Sequence, residues 1–367
     1  MRISDIMKKK DGVATDTAAP ASVEKETPTC SPPKGTKRAG HTDVVREIQQ
    51  VESAEKVYGE AVSVARGIFS NIIEQTPPDI TLCMNVVHKM IALHTANNEE
   101  LVAMCEYSTP ENYIYGHTAN VTVMALLVGS GFNCNQDDLE KLGLCCLLHD
   151  LGMSKVLDVA AKKSHLSPSE LVEIKHHPGY VEEILGNTTM GAELKNFVVR
   201  IISQVHERKH GGGYPAGLSG DDIHIFARII AVSDVYEALT HNRAWRERCL
   251  PHEALKKMIE ITDTDFDTDI VKYLIERLSL YPVGSYVKLN TDEIGRVVAS
   301  NQGLPTRPKV KVLLSSDLKR AEQEKVIDLS RNTMTYIVDP VDETKLNLPD
   351  KKMALELKAR RWWVKNT

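Results

Sequence analysis

Apolar residues recur at intervals of three and four from Thr42 to Leu280, and no other feature constrains the fold of this chain as strongly. That period lays an apolar stripe along each of a series of helices, which must then bury those stripes against one another. VVREIQQVESAEKVYGEAVSVARGIFSNIIEQ opens the series, and Pro77-Pro78 breaks it. DITLCMNVVHKMIALHTANNEELVAMCEY makes a second long helix or a pair of helices. Further helices are expected from His117 to Ser130, through DDLEKLGLCCLLHDLG with Asp137 or Asp138 as N-cap, and through LSPSELVEIKHHP. In the last of these, Ser167, Pro168 and Glu170 spell a capping box with proline in the first helical position. Ala192 to Glu207, Ile225 to Thr240, Pro251 to Glu260 and Asp267 to Leu280 complete the series.

At Tyr281-Pro282 the texture changes. SYVKLN, GRVVAS, KVKVLLSS and TYIVDPVD are short β-branched runs separated by turns, the pattern of a small β appendage. The expected organisation is a disordered tail over residues 1–41, rich in Thr, Ala, Pro, Lys and Glu, and an N-terminal helical region over 42–105. A main helical domain over 106–281, the β appendage over 282–342 and a basic tail over 343–367 follow. The class is mostly α. The region 42–105 reads equally as a degenerate sensory segment, a dimer interface or part of the main bundle. The end, KARRWWVKN, reads as a segment that docks on the body, binds a partner or frays.

Composition removes several function classes. A formal net charge of −5 provides no global basic field for nucleic acid. The chain contains no apolar run long enough to span a membrane. Its start, MRISDIMKKKDG, lacks the apolar centre of a secretion signal, so a cytoplasmic protein is expected. Seven cysteines (30, 83, 105, 134, 145, 146 and 249) show no paired spacing and are expected to be buried reduced thiols.

Ten of the thirteen histidines fall between 117 and 252, which directs attention to that third of the chain. The apolar run LGLCCLL delivers His149 and Asp150 to a helix end before Gly152. A carboxylate buried beside an imidazole needs a partner, and a divalent metal is one. Taken alone, the pair also fits a capping histidine beside an ordinary aspartate. His117 and Asp234 add weight, because each lies in an apolar helix among small residues. Asp234 is the only charge from Ile229 to Tyr236. His117, His149, Asp150 and Asp234 would form one metal site. His177 and His206 could hold a second ion with Asp150 bridging, an arrangement suited to in-line phosphoryl displacement.

The order H, HD, HP, HER, GGYPAGL and D resembles the HD-GYP branch of the HD phosphohydrolases over about residues 110 to 280. HERKHGGGYPAGLSGDDI followed by RIIAVSDVYEALTHNRAW carries the resemblance, and YPVGSYVKLNTDEIGRVVASN is similar to the β tail of such proteins. The resemblance implies an HD-domain helical bundle that hydrolyses cyclic di-GMP to linear pGpG and on to GMP in bacterial signalling. It implies two divalent ions, iron or manganese, on His117, His149, Asp150, His177, His206 and Asp234. It also implies a loop bordering the substrate cleft that binds partners such as diguanylate cyclases, and it fits a homodimer. Asp150 with Lys155 or Arg208 would carry the chemistry. Lys209, Gly212, Gly213, Tyr214, Pro215 and Arg243 (or Arg246) would contact substrate, where solvated surface is the alternative for the charged ones.

Four departures matter. Val205 stands where the family carries a first histidine before HER, which weakens the second metal site. Met153 replaces a lysine, with Lys155 two residues later. His210 replaces an aspartate and becomes a candidate ligand in compensation. Tyr113 replaces the glutamate of three-metal members, which favours two ions at most. The readings are therefore an active phosphodiesterase, a degenerate sensor or adaptor without turnover, and a phosphohydrolase for another cyclic dinucleotide or a nucleotide.

Overall fold

The structure is a computed structural model and describes residues 30–32, 52–105, 113–160, 162, 166–243, 246–301, 303–346, 348, 352 and 357. The expected tail over 1–41, apart from 30–32, lies outside the described residues, as do the first turns of the first expected helix and the tryptophans of the C-terminal segment.

The helices are α1 (Ala54–Ile73), α2 (Ile80–Met104), α3 (Tyr113–Gly131), α4 (Gln136–Leu148), α5 (Leu157–Ala160), α6 (Pro168–Lys175), α7 (Val181–Leu185), α8 (Ala192–Gln204), α9 (Ile225–Thr240), α10 (Pro251–Asp265) and α11 (Thr268–Leu278). α3 is the axis. Its residues from Gly116 to Gly129 are buried on every side, as the absence of any charge in YIYGHTANVTVMALLVGSG requires. α1, α2, α4, α9 and α11 pack around it. α1 and α2 share its core through Val57, Ile68, Val87, Met90 and Leu101, so the N-terminal helices are part of the bundle. The capping box at Ser167 forms as expected. The cap of α4 is Asn135, whose side chain accepts from the Asp138 N–H, in place of the expected Asp137 or Asp138. α8 ends at Gln204, short of the expected Glu207, and this frees the HER residues to turn.

The β appendage is one antiparallel sheet of β1 (Tyr286–Leu289), β2 (Ile294–Ala299), β3 (Lys309–Leu314), β4 (Arg320–Asp328) and β5 (Ile337–Val341), in the order β4-β3-β2-β1-β5. Val310, Val312 and Leu314 alternate inward along β3, the period of two that the sequence shows. Arg248 ties the sheet to the helices, donating to both oxygens of the buried Glu343 at 2.9 and 3.1 Å. Among the described residues no helix is long and apolar enough to cross a membrane.

The cysteine expectation needs correcting at two positions. Cys30 and Cys134 form a disulfide across 104 residues, while Cys83, Cys105, Cys145, Cys146 and Cys249 are buried and free. Residues 30–32 lie along the end of α3, where the Ser31 N–H donates to the Phe132 carbonyl at 2.7 Å and Asn133 donates to the Ser31 carbonyl. Such a pairing leaves no mark in local spacing. Closing so long a loop restricts the unfolded chain, and Cys30→Ser is expected to lower unfolding free energy by about 2–4 kcal/mol. Denaturant titration with and without reductant measures this, and identical midpoints would remove the bond from the stability account.

Candidate metal centre

Five segments bring the cluster together. α3 contributes His117 from its first turns, and the end of α4 presents His149, with Asp150 next in the chain. A short 3-10 helix (His177–Tyr180) begins with His177, the turn after α8 carries His206, and the middle of α9 carries Asp234. His117, His149 and His177 are almost fully buried.

Three of the four histidines are aimed by the outer nitrogen. His149 Nδ1 bonds the Cys146 carbonyl at 2.7 Å and His177 Nδ1 the Ile174 carbonyl at 2.8 Å. Both carbonyls require a proton on Nδ1, so Nε2 is left with its lone pair facing the cluster. His117 Nδ1 bonds the Glu237 carboxylate. On the inner side, His117 Nε2 lies 3.4 Å from Asp150 Oδ2 and 3.3 Å from Asp234 Oδ1, and His149 Nε2 lies 3.6 Å from Asp150 Oδ2. The other oxygen, Asp150 Oδ1, lies 3.5 Å from His177 Nε2, and His206 Nε2 is 3.0 Å from His177 Nε2. Asp150 therefore divides its two oxygens between two histidine groups.

The donor set fits divalent metal. His149 Nε2 is buried without a hydrogen-bond partner, a costly state unless a cation takes its lone pair. His117, His149 and Asp150 form one group with ligand atoms within 4.8 Å of one another, and Asp150, His177 and His206 form a second. Burial opposes the charge on Asp150, but His149, His117 and His177 outweigh it and hold the carboxyl well below its ordinary value. Burial, then His177, lowers His206 to about 3, so it is a neutral ligand at working pH. Burial also opposes charge on His117, yet Glu237, Tyr113, Asp150 and Asp234 hold its pKa well above the usual value. A metal on Nε2 must displace that proton, so uptake at this group strengthens as pH rises.

The other expected site residues are placed as follows. Lys155 is exposed and pairs with Glu183 at 3.2 Å. Arg208 is buried, donates to the Glu207 carbonyl at 2.8 Å and lies over the Phe266 ring. The Lys209 N–H donates to the Asp265 carbonyl. Tyr214 folds back so that its ring stacks on His206 at 5.0 Å, with Pro215 next at the exposed turn. Arg243 lies over the Tyr113 ring at 5.1 Å, and Tyr113 stacks on His117. Burial works against the charge of Arg243, but Tyr113, Asp234, Glu237 and Asp150 raise its pKa, which places the guanidinium in the field of the cluster. Val205 is fully buried in the helical core, and His210 is exposed and bonds the Thr264 carbonyl through Nδ1.

The glycines of the loop differ in what they require. A Cβ on Gly213 would stand 2.4 Å from the Arg208 nitrogen and the Glu207 Cα, and Gly211 has φ +74°, whereas Gly212 faces open space. Gly213→Ala is expected to lower the melting temperature by several degrees, for about 1–3 kcal/mol of overpacking. Gly212→Ala is expected to melt like the parent, and equal melting of the two variants would contradict this assignment.

Sequence reasoning missed the supports. Glu207 is buried, and its Oε1 accepts the N–H groups of Ala216 at 2.7 Å and Gly217 at 3.0 Å, which folds the loop against the HER turn. Glu237 is held by Asn120 at 3.0 Å, whose carbonyl oxygen in turn accepts from the Tyr58 hydroxyl at 2.7 Å. His241 lies 3.2 Å from the same carboxylate and bonds the Cys105 carbonyl. The signal was present: 234 and 237 share a face of α9, with 241 just past its end, as 117 and 120 share a face of α3. Glu237→Gln is expected to weaken metal affinity at the His117 group by about 10–100-fold. Competition with a chelator measures it, and unchanged affinity would leave Glu237 with a packing role only.

A family model described as "HD domain" matches residues 85–270, and one described as "KOW domain associated with HD domain" matches residues 286–348. A cyclic di-GMP phosphodiesterase of Pseudomonas aeruginosa is 28% identical over 258 residues, covering 70% of this chain and 61% of that protein. The cyclic di-GMP phosphodiesterase PdeB of Borreliella burgdorferi is 24% identical, covering 66% of this chain and 64% of its own length. A 3'3'-cGAMP-specific phosphodiesterase of Vibrio cholerae is 30% identical over 171 residues, covering 46% of this chain and 36% of its own. The chain thus spans a little over six-tenths of the length of the first two relatives. Among solved structures, an HDG"Y"P protein of Bdellovibrio bacteriovorus has the same fold, with TM-score 0.50 and 19% identity over 60% of this chain and 70% of that one.

Proposed function

Since this chain belongs to the HD domain family, we propose that it hydrolyses a phosphodiester bond of a cyclic dinucleotide, cyclic di-GMP foremost, to linear pGpG and on to GMP. The observation that carries the reading is the division of the Asp150 carboxylate between the His117–His149 group and the His177–His206 group. Two divalent ions, iron or manganese, held by His117, His149, Asp150 and Asp234 and by Asp150, His177 and His206, would supply Lewis acidity and a nucleophile at neutral pH.

The chain's own residues supply the rest. Asp150 and Asp234 orient the reacting centre, and the outer hydrogen bonds of the histidines keep their tautomers fixed through turnover. Arg243 meets the charge that develops on phosphate, because it is half-buried beside the cluster and held over the Tyr113 ring. Tyr214 and Pro215 border the cleft beside His206, with Gly212, Gly213 and Lys209 along the same loop. Lys155 and Arg208 act on the leaving group only after exchanging the partners described above. The exposed turn at Pro215 to Gly217 offers a surface for a diguanylate cyclase or an adaptor, and a homodimer suits the reading. A cytoplasmic setting goes with an intracellular messenger, although the Cys30–Cys134 disulfide weighs against a reducing compartment.

A sensor or adaptor without turnover has one observation in its favour. Val205 is sealed in the core, so among the described residues the second group consists of Asp150, His177 and His206. Anaerobic loading with iron or manganese, a metal count and incubation with cyclic di-GMP decide between the readings. Two ions per chain and a linear product are expected. Intact cyclic di-GMP bound to a chain carrying one ion or none would overturn hydrolysis in favour of sensing.

A further inference from the structure

A cavity of about 490 Å³ lies where the C-terminal end of α8 meets the N-terminal end of α9. Arg200, Gln204, His224 and Arg228 line it, Phe132 stands in one wall, and residues 30–32, fastened by the Cys30–Cys134 disulfide, form another. None of these residues belongs to the metal cluster. The volume lies within the range of small-molecule sites.

The polar groups left over in the interior are all donors. The Arg200 guanidinium stacks on the Phe197 ring, has no hydrogen bond or ion pair with a described residue, and keeps a buried Nε without a partner. His224 Nδ1 accepts the Phe226 N–H at 3.1 Å, so the proton resides on Nε2, which is buried and also lacks a partner. Arg228 uses Nη1 on Asp267 at 2.8 Å and on Asp221 at 3.5 Å, and its buried Nε is unmatched. Gln204 spends its carbonyl oxygen on the His224 N–H at 2.8 Å, leaving its amide N–H groups. The acids are committed or solvent-exposed: Asp267 pairs with Arg228 and caps α11, while Asp221, Asp222 and Asp269 line the cavity with exposed side chains.

Arg200, His224 and Arg228 each keep a donor that no described residue accepts, all three line one cavity, and an oxyanion is the group that pairs with such donors. We propose that this cavity binds a small molecule that carries a phosphate or carboxylate at its inner end and hydroxyl or amine donors at its outer end. Burial, then Arg200 and Arg228, holds His224 down at about 4, so it meets the ligand as a neutral donor while the arginines supply the charge. The site does not depend on the reaction proposed above.

The test is calorimetric titration of the full chain with ribose 5-phosphate and with gluconate, which present the two oxyanions on similar polyhydroxyl bodies. One of them is expected to saturate at one per chain, equally in the parent and in Asp150→Ala, and the one that binds identifies the oxyanion. Arg200→Gln should weaken binding by about 10-fold or more, the worth of a charged hydrogen bond, while leaving metal content unchanged. Arg200→Lys, which keeps the charge, should recover part of the affinity and guards against a folding artefact. The proposal is overturned if neither probe saturates below about 10 mM, if Arg200→Gln binds as the parent does, or if Asp150→Ala abolishes binding.

Discussion

Asp150→Ala is expected to empty both metal groups at once and to reduce hydrolysis of cyclic di-GMP by more than about 1000-fold. The reason lies in how its two oxygens are shared. Oδ2 faces His117 and His149, while Oδ1 faces His177, and among the described residues Asp150 is the one common to both groups. The alanine also removes the carboxylate that faces three buried imidazoles, and with it the negative charge that offsets the desolvation of a bound cation. His206→Ala is the matching control, because it touches only the second group. It should leave about one ion per chain, where Asp150→Ala leaves none. Metal analysis beside a product assay separates the two variants. If Asp150→Ala keeps one tightly held ion and measurable turnover, the bridging role is wrong.

The second large effect is structural in origin. Gly152→Ala would place a Cβ 1.8 Å from the His177 carbonyl oxygen and 2.7 Å from its carbon. Both are backbone atoms, so no side-chain rotation relieves the clash, and the turn after Asp150 must separate from the turn that carries His177. The expected cost is about 3 kcal/mol of stability, together with loss of the second metal group while the first persists. Denaturation and metal counting on one preparation test both halves. An alanine variant with parental stability and two ions would show that the two turns tolerate separation. Gly179, which has open space around it, serves as the neighbouring position where alanine should be harmless.

These two residues show how unevenly the site was legible. Asp150 could be singled out because a carboxylate at the end of an apolar helix demands a partner. Gly152 was visible only as the residue after the motif. Its importance comes from contact with a backbone 25 positions away, and no local pattern encodes that. Glu237 was within reach, since it follows Asp234 by three on a helix already recognised, but its partner His117 lies 120 residues earlier. Glu207 stood inside the motif itself. Its task of holding the Ala216 and Gly217 N–H groups appears only once the loop closes on it.

The sequence alone determined the helical series, the change to strands at Tyr281, the capping box at Ser167 and the histidine and aspartate positions of the cluster. Each of these rests on spacing or side-chain chemistry within a few residues, where backbone geometry leaves little choice. The tertiary structure decided the rest: the Cys30–Cys134 disulfide, the burial of Val205, the split Asp150 carboxylate, and the cavity ringed by Arg200, His224 and Arg228. Those features depend on which helix faces lie together after α3 has been enclosed. That choice is made by the summed burial of many side chains, and no single segment records it.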